Sequence, residues 1–162
     1  MAEKIKAVPD GNHTITAHLA VRDGSKAIEF YQKAFGAQLL FVHKMPDGKV
    51  MHASLRIGDS RLMLADEFPG MGPKSAQTLG GSPVVLNLYV EDVDALWNQA
   101  VGAGAIVTMP LANQFWGDRY GQLVDPFGHS WALLSHVEDV APEEMERRAN
   151  ELFGDPAKRA GA

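Results

Sequence analysis

The feature that most restricts this chain of 162 residues is an internal repeat. The stretch "HLAVRDGSKAIEFYQKAFGA", from His18, is echoed by "NLYVEDVDALWNQAVGAGA", from Asn87, a shift of 69 positions (87 − 18 = 69). Each copy reads as a short apolar strand ending in Val, then a charged residue and Asp, then an amphipathic helix closing on Gly-Ala. Ala27, Ile28, Tyr31, Ala34 and Phe35 fall on one helical face, as do Val93, Leu96, Ala100 and Val101 in the second copy. Gly36 and Gly104 stand where those helices should stop. Further strands follow each helix: "QLLFVHKM", "VMHASLRIG" and "RLMLADE" in the first half, "AIVTMP", "RYGQLVD" and "SWALLSH" in the second. The turns between them carry their own signals, "PDGK" as a hairpin and "DPFGH" as a tighter reversal. Both halves therefore read βαβββ, and Leu62 to Trp131 repeats the same shift.

This repeat divides the chain into residues 14–67, a first module; residues 68–83, a Gly- and Pro-rich connector long enough to cover part of the molecule; residues 84–136, a second module; and residues 137–162, a C-terminal helix and tail. The helix should begin at "APEEM", where Pro and two Glu suit a first turn, and should carry Met145, Ala149, Leu152 and Phe153 on one stripe. Beyond it, "GDPAKRAGA" reads as a frayed tail.

Composition narrows the function classes. A net charge of −5 with scattered Lys and Arg argues against nucleic acid as a partner. No apolar run approaches a membrane span, and the polar start lacks the apolar stretch of a secretory signal, which predicts a cytoplasmic protein. The chain has no cysteine, so disulfides, thiolate nucleophiles and Cys zinc sites drop out.

Strand alternation shows which sheet face meets the helices. Ile15, Ala17, Leu19 and Val21 form one such set, and Met51, Ala53, Leu55 and Ile57 another, with Leu62 and Leu64, and with Val84, Leu86, Leu88 and Val90, continuing the pattern. The opposite sets mix polar and small apolar residues on four strands. Such a mixture fits a concave, partly wet pocket; a half-exposed sheet with one face in water would alternate too.

The strings "AIEFYQKAFGA", "MHASLRIGDSRLMLADE", "LYVEDVDALWNQAVGAGA" and "QFWGDRYGQLVDPFGHSWALLSHVEDVAPEEM" resemble the vicinal oxygen chelate superfamily, which includes glyoxalase I, bleomycin-resistance proteins and extradiol dioxygenases, and within it the PhnB-like branch. The resemblance covers about residues 14–136. It implies an α+β fold of two βαβββ modules whose mixed sheets curl around a shared cavity, and typically a homodimer. It also implies metal ligands on the first and fourth strand of each half, which correspond here to Thr16, Met63, Val85 and Ala132. None is a His or carboxylate, so the usual site for a hard divalent ion is expected to be missing and no cofactor is expected. A displaced set of His18, His52 and Glu67 is the alternative.

The binding candidates are His18, His52, Arg61, Met63, Glu67 and Asn87 on the cavity side, with Trp116, Arg119 and Tyr120 at a cavity mouth. There the two rings would supply planar surface and Arg119 a forked donor for an anion, beside Gly117 and Gly121, which permit close backbone approach. An internal network fixing the loop is the competing reading, because strand parity after Gly117 is open. Trp131 reads as core, Asp125 as a turn residue accepting local amides, and His43, His129 and His136 as exposed. Three functions remain. The first is a metal-free binding protein for a small aromatic or amphipathic molecule. The second is a glyoxalase-like lyase or isomerase, with His18 as base and Arg119 or Arg61 holding an anion. The third is an interaction module whose cavity is incidental.

Overall fold

The computed structural model describes residues 5–154. The first unit runs β1 (Ala17–Val21), α1 (Gly24–Phe35), β2 (Gln38–Lys44), β3 (Val50–Ile57) and β4 (Ser60–Asp66). A connector carrying the short helix α2 (Ala76–Leu79) leads to β5 (Val85–Tyr89), α3 (Val93–Gly102), β6 (Ile106–Asn113), β7 (Asp118–Val124) and β8 (Ser130–His136), and α4 (Pro142–Phe153) follows. The sheets have the strand orders β1-β4-β3-β2 and β5-β8-β7-β6. In each, the first strand lies parallel to the fourth and the other pairings are antiparallel. The expected α+β architecture of two βαβββ units is what the chain adopts. The tail expected after α4 lies, from residue 155, outside the described residues.

The 69-residue shift is written into the hydrogen bonds. Asp23 caps α1 by accepting from the Lys26 amide, and Asp92 caps α3 by accepting from the Ala95 amide. At the first helical position, the Gly24 amide donates to Asp66 Oδ1 at 2.9 Å, while the equivalent Val93 amide donates to Ser135 Oγ at 3.2 Å. The end of each fourth strand thus satisfies the first free N–H of its module's helix. Register agrees: Ala17 pairs with Leu62, and Leu86 with Trp131.

The core fills the space between both helices and the helix-facing sides of both sheets. Tyr31, Leu55, Leu64, Leu123 and Leu133 are fully buried there, and Phe35 packs on Trp131 with ring centroids 4.6 Å apart. The two helices also touch directly, Gln99 of α3 donating to the Lys33 and Ala34 carbonyls of α1. At the centre lies Asp125, in the β7–β8 turn. Its Oδ1 accepts from the Phe127 and His129 amides, and its Oδ2 accepts from Tyr31 Oη at 2.7 Å and Trp131 Nε1 at 2.9 Å. The turn reading was local. In the fold this carboxylate also reaches a tyrosine 94 residues away and joins the two modules.

Several face assignments are corrected. Ile15 precedes β1 and is 89% exposed, because the strand begins two residues later. Met51 and Val50 exchange faces: β2 and β3 slip in register between His43 and Lys44, and the bulge turns Val50 into the core and Met51 outward. Helix α3 ends at Gly102, before Gly104, and Trp97 rather than the exposed Val101 packs on the core. In α4 no residue is fully buried; the helix leans on the 115–118 turn through Phe153 against Phe115 and Arg148 toward the Phe115 carbonyl. No helix among the described residues is long and apolar enough to cross a membrane.

Burial pushes the Asp125 carboxyl upward, but its hydrogen bonds outweigh that and hold it below the usual carboxylate range. Replacing Asp125 by Ala orphans the Tyr31 hydroxyl and the Trp131 N–H, and should cost about 3 kcal/mol, seen as a lower urea midpoint at unchanged m. Because the folded pKa is depressed, the contribution is present above about pH 4 and is lost as pH falls through the lower folded value. The gap between the natural protein and Asp125→Ala should therefore narrow in acid.

Candidate functional site

Each sheet has a face that neither α1 nor α3 covers, and the site candidates sort themselves by that face. In the first module His18 pairs in register with Met63, and Met63 with Ser54, so these side chains share the open face. His52 lies diagonally across, its ring centroid 5.9 Å from that of His18, and Phe41 stands 6.3 Å beyond His52. His18, Met63, His52 and Phe41 thus make a continuous band of imidazole, thioether and phenyl surface. Phe41 was not singled out from sequence, since the slip between Leu39 and Phe41 moves it to this face against simple alternation. Burial and the neighbouring His52 both lower the pKa of His18, favouring its neutral form.

In the second module Asn87 pairs with Ala132, and Tyr120 with Leu134, on the corresponding face. Tyr120 accepts a 2.6 Å hydrogen bond from Gln122 Nε2, and Trp116 packs edge-on against it at 5.6 Å. Arg119 points the other way. Its guanidinium makes a two-pronged contact with Asp94 of α3 at 2.6 and 2.7 Å and also reaches Asn113. Strand alternation forces this: Gly121 and Leu123, of the same parity, face the helix, and a Cβ on Gly121 would lie 2.6 Å from Trp97. The close approach expected at the two glycines is internal. At Gly117, with φ +102°, a side chain would run into the Glu138 carbonyl. Trp116 Nε1 donates to Asp118 Oδ2, and His136 bridges Asp118 and Asp139 at 2.8 and 2.9 Å, so the leading edge of β7 is held by an internal network. Hydrogen bonding to Asp139 and Asp118 raises the His136 pKa, so this clamp is strongest below about pH 6.5 and fades as pH rises through the higher folded value.

The alternative set does not assemble. Glu67 follows β4 beside Val21, roughly 10 Å along β1 from His18. Its carboxylate accepts from Ser75 and Thr78 of the connector, at 2.6 and 2.7 Å. These bonds lower its pKa and pin the start of α2 to the first module. Among the described residues no group of three or more His, Asp or Glu side chains is placed to hold a metal ion. The four family positions fit one no better: Thr16 donates to the His13 carbonyl, Met63 offers only sulfur, and Val85 and Ala132 have no donor.

Recesses follow the seam between β1 and β5, each an edge strand of its sheet, whose residues line them from both sides. One, of about 280 Å³, lies under the connector and is bordered by His18, Lys74 and His129. A smaller one, of about 140 Å³, holds Arg61 and Asn87 beside Leu86 and Trp131. Arg61 there donates to the Asp10 carbonyl of the N-terminal arm. His129, read as exposed because it ends a turn, is buried, since the turn folds inward around Asp125. Lys74 carried no readable signal in a connector.

The chain belongs to the glyoxalase/bleomycin resistance protein/dioxygenase superfamily, whose profile matches residues 12–133. It is 47% identical over 135 residues to an uncharacterised protein of Mycobacterium bovis, across 82% of this chain and 89% of that one. The crystal structure of TioX from Micromonospora is similar over 78% of this chain and 100% of its own, at 26% identity and TM-score 0.62. A PhnB protein of Bacillus cereus shares the fold over 76% of this chain and 99% of its own, at 19% identity and TM-score 0.61. The superfamily expected from sequence is thereby met.

His18 should titrate below the ordinary imidazole value of about 6.5 when followed by NMR of the ring nitrogens. His52→Ala should move it part of the way back, because burial remains when the neighbouring charge is gone. With a lowered folded pKa, the stability contributed by neutral His18 is present above about pH 6.5 and declines as pH falls through the folded value.

Proposed function

We propose that this chain is a metal-free binding protein for a small aromatic or amphipathic molecule, held against the open faces of its two sheets. The band of His18, Met63, His52 and Phe41 carries the reading. It offers flat, polarisable surface with a neutral imidazole, and Met63 within it stands at one of the positions where the family resemblance implies a metal ligand. Asn87 and Arg61 add polar contacts near the seam, and Trp116 and Tyr120 add rings at the far end. Arg119 is left out because Asp94 and Asn113 occupy its donors on the helix side.

Phe41, Val85 and Tyr89 are 56%, 41% and 61% exposed, and apolar exposure of this kind favours a homodimer in which a second copy covers part of the surface. Residues 14–67 and 84–136 act as the two binding modules, with residues 137–162 as an appendage. The place of action is the cytoplasm. The lyase or isomerase alternative would need Glu67 released from Ser75 and Thr78 before it could join the histidines.

Titrating aromatic antibiotics and metabolites against intrinsic Trp fluorescence should find a saturable ligand, and Met63→Ala should weaken it about tenfold by removing buried apolar contact. Stoichiometric, chelator-removable metal in protein purified without added metal or affinity tag would defeat the reading, as would turnover of 2-oxoaldehyde thiol adducts.

A further inference from the structure

The cleft beneath the connector differs from the open face in its walls and its charge. Leu19 of β1 and Leu86 of β5 line it from the sheets, and Ala76, Leu79 and Pro83 line it from the connector. That cover is anchored on both modules. Glu67 holds Ser75 and Thr78, Arg22 donates to Thr78 Oγ1, and on the far side Gln77 Nε2 donates to the Pro126 carbonyl. Gly128 completes the join, since even a Cβ there would press to 3.2 Å on Ala76.

Polar groups enter this apolar recess at a few points, and none is acidic. The Lys74 ammonium has no ion-pair partner among the described residues. The His129 ring is nine-tenths buried, with Nδ1 turned inward toward Asp125 Oδ2 at 3.7 Å, an ion pair when the ring is protonated, while the ring also borders the cleft. Asp125 is already saturated by Tyr31, Trp131 and two amides. His18 stands at the border between the cleft and the open face.

We propose that this seam cleft is a second binding site, separate from the open face, for a small apolar monocarboxylic acid whose tail lies between Leu19, Leu86 and Leu79 and whose carboxylate meets Lys74 and the His129 ring. A cation finds no carboxylate in the lining, and a sugar-like ligand would leave its hydroxyls against leucine and proline. The volume of about 280 Å³ corresponds to roughly nine waters and so to a ligand of about ten non-hydrogen atoms. Octanoate has that size and chemistry.

The test is NMR shift mapping of the full chain with octanoate, and with 1-octanol and octylamine as controls of equal chain length. Octanoate should perturb Leu19, Ala76, Leu79, Leu86 and His129, and bind about five- to tenfold more tightly than 1-octanol, with octylamine weakest. Lys74→Met, an exposed change that leaves the core untouched, should bring octanoate down to the level of 1-octanol. His129→Gln should weaken octanoate as well, and if that variant fails to fold the Lys74→Met comparison still decides. Equal binding of octanoate and 1-octanol, an unchanged affinity in Lys74→Met, or shifts confined to His52, Met63 and Tyr120 would overturn the proposal. Aromatic ligands of the open face should bind Lys74→Met as they bind the natural protein, so the two sites can fail independently.

Discussion

The buried carboxylate of Asp125 is the interaction on which the rest of the structure depends. Four donors converge on it, two from its own turn, one from Trp131 and one from Tyr31 in the helix of the other module. In a medium where an unpaired charge would be intolerable, this saturation lets a polar group sit among Phe30, Tyr31, Phe127 and Trp131. The two modules are thereby fixed to each other at their helix-facing sides. Their edge strands β1 and β5 then border the same recesses without pairing, and the seam and the connector above it follow from that placement.

The duplicated plan explains both what the halves share and where they differ. Backbone needs are common, so the two Asp caps and the fourth-strand acceptors Asp66 and Ser135 recur at one shift. Side chains on the open faces carry no such obligation and have diverged. His18 and Met63 in the first half correspond to Asn87 and Ala132 in the second, so the imidazole and thioether of one face have an amide and a methyl as their counterparts on the other. The β7–β8 turn is also longer than the Gly58–Asp59 reversal between β3 and β4, and that extra length carries Asp125 and Phe127 inward.

Much of this was legible in the chain itself. The order of strands and helices, Trp131 in the core and Asp125 accepting local amides all follow from periodicity and turn chemistry, which act over a few residues. The failures have one cause in common. Simple alternation assumes an unbroken ladder, and the slips beside Leu39 and His43 invert parity, sending Phe41 to the open face and Val50 to the core. His129 failed differently: a residue closing a turn is ordinarily wet, and only the inward fold of this turn buries it. Arg119 and Trp116 clustered in sequence, yet strand geometry sends one to α3 and turns the other toward Tyr120.

The sequence by itself determined the two βαβββ units and their relation by a fixed shift, because residue type and local pattern are enough to specify each. Only the tertiary structure decided which candidates meet. Whether Glu67 joins the histidines or the connector, and whether Arg119 faces a ligand or a helix, depends on strand register and on contacts between residues far apart in the chain, which no local pattern encodes.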